Sequence, residues 1–300
     1  MKIETLNKQF AIEDIVSFKP GNGGLPFLNI KNQYCAAGIS LYGAQILSYI
    51  PNKQQDVLWV SSKSLFEDGK AIRGGIPLCF PWFGPHTTDK TKPQHGFARL
   101  STWQVNIVEQ LQHGATHIQL SLRQTATTLA LWPFSFTAVI DFNVGSTLQL
   151  SFSVTNTGEQ KFDYSDALHT YYNISDINNI SLEGFDNATY YEAFGNELLQ
   201  QEKCKLNSGM ENNRRYVNHH TKSVIKDPGY NRKITAEKSG SKVTVVWNPG
   251  PVTTQKISDM EPEGYRTFIC VEPANAYEGV DIIELEPNES FGLSTTISVL

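Results

Sequence analysis

The 300-residue sequence has no run of about 18 apolar residues, the length a membrane-crossing helix needs. Its most apolar stretch, Leu129 to Phe142, is broken by Pro133, Ser135, Thr137 and Asp141. The first ten residues, MKIETLNKQF, lack the apolar core of a secretory signal, so a cytoplasmic protein is expected. The sequons at Asn173, Asn179, Asn187 and Asn288 are then accidental. Cysteine is scarce. Cys35, Cys79, Cys204 and Cys270 lie far apart without a CxxC pair, which argues against a disulfide framework and predicts reduced core thiols. Charged residues make up only 18%, with a net charge of −5, too few for a disordered chain. The same balance predicts no partnership with nucleic acid or a membrane surface. HExxH, Walker, GxGxxG and GxSxG motifs are all missing. The pair His219-His220 has no Cys or acidic cluster to complete a metal site, and a solvated loop is expected there.

No sustained 3.6-residue period, linker, charge block or repeat divides the chain, and alternation dominates instead. Phe136, Ala138, Ile140, Phe142 and Val144 share one face, and Leu148, Leu150, Phe152 and Val154 share another after Gly145-Ser146. Two such runs joined by Gly-Ser predict a β-hairpin. Ile118, Leu120 and Leu122 repeat the pattern, as do Phe291, Leu293, Thr295, Ile297 and Val299. Val243 to Trp247 and Thr267 to Val271 suit short buried strands. With 22 Gly and 14 Pro spread along the chain as turns, one large all-β antiparallel sandwich over residues 1–300 is expected.

Four segments break the pattern. Arg73-Gly74-Gly75 offers a bidentate fork for oxyanions, with adjacent glycines that allow close backbone approach and exposed N–H groups. A tight turn with a surface Arg would read the same way. Gln94-His95-Gly96-Phe97-Ala98-Arg99 collects an amide, an imidazole and a guanidinium, a set suited to a polyhydroxylated anion; a structural histidine is the plain alternative for His95. His169, within Asp166 to Tyr172, sits among apolar and aromatic neighbours whose burial depresses its pKa. Glu272 closes an apolar run, where an unpaired carboxylate is costly, and Pro273 is expected to end the strand. A buried hydrogen-bonded histidine and a structural salt bridge remain open readings of these two residues.

In order along the chain, RGGIPLCFPWFGP, QHGFAR, ALHTYY, ENNRRY, VVWNP and CVEP resemble the glucose-6-phosphate 1-epimerase branch of the aldose 1-epimerase family, from about Ala71 to Pro273. The resemblance implies a galactose-mutarotase-like supersandwich, an isomerase that needs no cofactor or metal, and a small phosphosugar as substrate. It further implies His169 as general acid, Glu272 as general base, and Arg73, Gln94 and Arg99 as substrate contacts, the arginines on phosphate. Position 213 is an acidic substrate ligand in that family, whereas this chain carries Asn213, which keeps a hydrogen bond but loses the charge.

Exchanging α and β anomers requires a base for the O1–H proton and an acid for the ring oxygen, with the roles reversed after rotation about C1–C2. A carboxylate and an imidazole are sufficient. An epimerase of unphosphorylated aldoses and a non-catalytic sugar-binding sandwich remain alternatives, the paired arginines arguing against the first and the acid–base pair against the second. A monomer is expected.

Overall fold

Successive side chains of an extended strand point to opposite faces, so alternation in sequence becomes a two-faced strand. In Phe136–Val144 every second residue from Phe136 to Val144 is buried, and the strand pairs antiparallel with Leu148–Asn156 across a turn at residues 145–147. The hairpin lies near the middle of an eight-stranded sheet ordered Ser181–Glu183, Ser223–Asp227, Arg232–Ser239, Ser290–Val299, Leu148–Asn156, Phe136–Val144, Thr116–Arg123, Gln104–Gln110. The computed structural model describes residues 2–192, 195, 197–201, 203–204, 206, 209–276 and 281–300.

A second eight-stranded sheet, the site sheet, runs Leu198–Gln200, Thr189–Glu192, Asn212–Tyr216, Val243–Asn248, Phe268–Asn275, Asp166–Leu168, Leu78–Cys79. Tyr171–Asn173 also pairs with Phe268–Asn275. A four-stranded meander, Val16–Pro20 through Gln45–Pro51, completes the main layers. Every pairing among the described strands is antiparallel. The fold is therefore the expected all-β sandwich.

One face of the site sheet, with Leu78, Leu168, Tyr172, Val246, Ile269 and Val271, joins Phe136, Phe142, Phe152 and Leu293 of the other sheet in a continuous core. Phe80 is fully buried there, with its ring 5.3–6.1 Å from those of Phe97, Trp132, Phe136, Phe152 and Tyr164. Burying one such side chain contributes about 1.5–3 kcal/mol. Phe80 thereby anchors the loop that leads to Gln94 and His95.

Three details depart from the sequence reading. Pro273 does not end its strand, which runs on to Asn275. Thr244 is registered opposite Pro273 on one side, while the strands on the other side pair with Phe268 to Cys270 and with Ala274 to Asn275. A residue without an N–H fits that gap. His219 is not in a solvated loop: it is buried, its ring stacks on Phe185 at 4.5 Å, and its nitrogens lie 2.9 Å from Thr244 Oγ1 and 2.8 Å from the Gly184 carbonyl. Cys35, Cys79 and Cys270 are buried free thiols as expected, but Cys204 is only half-buried. Among the described residues, no helix is long and apolar enough to cross a membrane.

Candidate active site

The strand parity that fills the core with one face of the site sheet presents a more polar set on the other. Asn213 stands opposite Trp247, and Trp247 opposite Cys270; one step along, Arg215 stands opposite Val245, and Val245 opposite Glu272. Ala167, beside Ala274, shares this face, and His169 and Tyr171 follow it by alternation. A cavity of about 860 Å³ opens here, and its lining includes Arg73, Gln94, His95, Arg99, His169, Asn213 and Glu272. All seven candidate residues are thus brought to one place from five separate stretches of sequence.

Two loops set the rim. The Gly74 backbone has φ +119°, and a Cβ there would lie 2.3 Å from the Trp59 carbonyl oxygen. Close packing rather than ligand capture explains this glycine pair, since the Gly75 N–H donates to Trp59 O at 2.7 Å. The expectation of exposed N–H groups is corrected there. His95 adopts the left-handed conformation, φ 61°, uncommon without glycine. Its N–H donates to the Gly84 carbonyl at 2.7 Å, and the Gly84 N–H donates to His95 Nδ1 at 3.0 Å. The ring is therefore held as the neutral tautomer with its proton on Nε2. Burial and the neighbouring positive charges hold His95 well below the ordinary histidine range.

His169 and Glu272 meet on the cavity floor, with Nδ1 3.4 Å from Oε1. Their exposures, 7% and 1%, leave little access to water. The contact is too long for a good hydrogen bond, and neither Glu272 oxygen nor His169 Nδ1 has a hydrogen-bond partner among the described residues. Burial pushes Glu272 well above the ordinary carboxylate range, against the pull of Arg99. Burial, then Arg99 and Arg73, push His169 down to about 3. Both shifts disfavour the charged forms, so the protein by itself favours a neutral imidazole beside a protonated carboxyl over an ion pair. Tyr171 stacks on the His169 ring at 4.8 Å and 9°, and the His169 N–H donates to Pro77 O at 3.0 Å. These contacts fix where the imidazole can point.

The two arginines differ in their commitments. Arg73 donates to both oxygens of Asp259 at 3.0–3.2 Å and to the Tyr171 hydroxyl at 3.3 Å. Much of its charge is offset before any ligand arrives. Arg99 donates from Nη2 to the Gln94 carbonyl at 2.8 Å, and its buried Nε has no hydrogen-bond partner among the described residues. Gln94 contributes that carbonyl and an exposed position on the cavity wall.

Two residues without a strong sequence signal, Glu211 and Asp259, complete the site. Glu211, on the cavity wall, accepts from Asn213 Nδ2 at 3.3 Å, from Trp247 Nε1 at 3.1 Å and from Thr253 Oγ1 at 2.8 Å. A carboxylate is therefore present beside Asn213, two residues from the position where the family resemblance places it. Asp259 could not be found from its neighbours Ser258 and Met260. Cys270 could have been, because it lies two residues before Glu272 and so shares its face. A search for local metal-ligand spacing misses the grouping of Cys270 and Glu272 with His169, which pairing between strands creates.

The sequence profile of the family described as "Aldose 1-epimerase" matches residues 26–298. An Escherichia coli (strain K12) protein named "Putative glucose-6-phosphate 1-epimerase" is 34% identical over 268 residues, 88% of this chain and 87% of its own. A Salmonella typhimurium crystal structure described as a "putative mutarotase" superposes with a TM-score of 0.88 at 28% identity, covering 97% of this chain and 95% of that one. At 15% identity, a galactose mutarotase related enzyme from Lactobacillus acidophilus shares the fold with a TM-score of 0.72, over 91% and 96% of the two chains.

Proposed function

The chain belongs to the aldose 1-epimerase family, and we propose that it interconverts the α and β anomers of a hexose 6-phosphate, glucose 6-phosphate first among them. The observation that carries this reading is the buried His169–Glu272 pair beneath a cavity that also holds Arg73 and Arg99.

The chemistry follows from the proton inventory. Moving the shared proton from the carboxyl to the imidazole makes Glu272 the base for the anomeric O1–H and His169 the acid for the ring oxygen. The ring opens, the C1–C2 bond rotates, and closure on the other face returns both protons. Arg99 and Arg73 disfavour the imidazolium in the protein by itself. A phosphate dianion beside them offsets that field, so the bound substrate's own charge helps His169 take the proton. With Arg73 held by Asp259, we assign the larger share of phosphate charge to Arg99 and leave Arg73 to bind phosphate or ring oxygens in a fixed orientation. Gln94, His95 and Asn213 hydrogen-bond the sugar.

The reaction changes no oxidation state, so it calls for no redox cofactor. The reading includes one domain over residues 1–300, a monomer, and a cytoplasmic location. Exchange NMR on the anomeric protons tests it. The protein should speed exchange of glucose 6-phosphate well beyond that of glucose at equal concentration. Equal acceleration of both would return the assignment to an epimerase of neutral aldoses, and acceleration of neither would leave a binding protein.

A further inference from the structure

Behind the floor of the cavity, beside His169 and Glu272, lies a third group that anomer exchange does not use. Cys270 is a free thiol with 0% exposure, and it points from the same strand face as Glu272. A ring nitrogen of His169, the Cys270 sulfur and a Glu272 carboxylate oxygen all lie within 4.8 Å of one another. Tetrahedral zinc with an imidazole nitrogen, a thiolate and a carboxylate oxygen sets its ligand atoms about 3.3–3.6 Å apart. The 3.4 Å between His169 Nδ1 and Glu272 Oε1 already matches one edge. The widest edge needs a contraction of about 1 Å, within reach of a side-chain torsion.

The unmet valences point the same way. His169 Nδ1 and both Glu272 oxygens are buried without a hydrogen-bond partner among the described residues, on side chains more than nine-tenths buried. Buried lone pairs of this kind are costly unless something occupies them. We propose that His169, Cys270 and Glu272 form a three-ligand site for a soft divalent cation of the Zn²⁺ class, which blocks anomer exchange when filled. A thiolate and a carboxylate balance the ion's two charges, and the fourth position faces the cavity, where water completes the tetrahedron. The sulfur and imidazole select Zn²⁺ or Cd²⁺ over Mg²⁺ and Ca²⁺, which prefer all-oxygen sites. The guanidiniums near His169 oppose a cation, so the expected dissociation constant is on the order of 1–10 µM, weaker than four-ligand structural zinc. Occupancy and catalysis exclude each other because the ion takes the lone pairs that must carry the proton.

The blocking half rests on the proposed function, whereas the binding half does not. Chelator-treated full-length protein is titrated with Cd²⁺ alone and followed by thiolate-to-metal charge-transfer absorption. Wild type should take up one equivalent and show the band. Cys270→Ala and Cys270→Ser should lose the band or bind at least 30-fold more weakly, while Cys204→Ser keeps it. Absence of a one-equivalent band in wild type, or its persistence in both Cys270 variants, overturns the site. In the second arm, Zn²⁺ should inhibit glucose 6-phosphate anomer exchange, a chelator should restore it, and Cys270→Ala should turn over normally without being inhibited. Binding without inhibition overturns the overlap with the acid–base pair. Loss of anomer exchange in untreated wild type counts against the proposed function alone, because the Cd²⁺ titration still decides the site.

Discussion

Replacing Asn213 with Asp restores the carboxylate that the family resemblance places at this position, and on sequence alone the variant should stay active. The fold predicts a measurable loss. Asn213 Nδ2 donates to Glu211 Oε1 at 3.3 Å, so Asp would replace a donor by a charge facing a charge. Two unit charges about 4 Å apart repel by about 1 kcal/mol in water and about 4 kcal/mol at an effective dielectric of 20. Glu211 is exposed, which favours the lower figure. A cost of about 1 kcal/mol corresponds to roughly a fivefold loss of kcat/KM. Adding Glu211→Gln removes the repulsion while keeping an acceptor for Trp247 and Thr253, so the double variant should recover most of that loss. Asn213→Ala deletes the proposed sugar contact and should cost roughly 5- to 50-fold. Steady-state anomer exchange of glucose 6-phosphate across the four proteins is the assay. Wild-type kinetics for Asn213→Ala would remove the residue from the site, and an unimpaired Asn213→Asp unaffected by Glu211→Gln would refute the electrostatic argument.

Arg99→Gln should raise KM for glucose 6-phosphate by about 10- to 100-fold, the value of a lost charge-assisted bond. Because Arg99 lowers both His169 and Glu272, its removal raises both, and the whole bell-shaped pH–rate profile should move to higher pH; an unmoved profile would refute that coupling. His117 lies 2.8 Å from both Glu109 and Asp141; burial opposes its charge, but the two carboxylates outweigh burial and raise its pKa. A raised histidine pKa gives stability that is full below about pH 6.5 and is lost as pH rises through the folded value. His117→Gln should therefore destabilise by about 0.2–1 kcal/mol at pH 6 and by less at pH 9 in denaturant titrations. Phe80→Ala should cost about 3–5 kcal/mol in the same titrations, since five aromatic neighbours cannot all close on the void.

The parts legible in the sequence are those that local spacing decides. The alternation at Phe136–Val144 maps directly onto one buried face, and the short motifs around His169 and Glu272 mark side chains that meet on the cavity floor. What stayed hidden depends on pairing across distance. That Trp247 stands opposite Cys270, that Asp259 clamps Arg73, and that Glu211 stands in beside Asn213 are set by register and loop closure, which no window of neighbours encodes. Pro273 misled for the same reason: a proline reads as a strand end until the gap between its neighbouring strands is known. The helix at Ile3–Phe10 does carry helical spacing in Ile3, Leu6 and Phe10, which pack on the core, but with eight residues and no side-chain cap at Lys2 that period is too short to stand out.

In the proposed reaction His169 and Glu272 pass one proton between them while the sugar ring opens and closes. Anomeric exchange NMR with glucose 6-phosphate tests it through wild type, His169→Asn, Glu272→Gln and the double variant. Each single substitution should lower kcat by about 100-fold or more, and the double should fall little further, as expected of two groups acting in one cycle. Near-normal turnover in either single variant, or losses in the double that multiply, would contradict it.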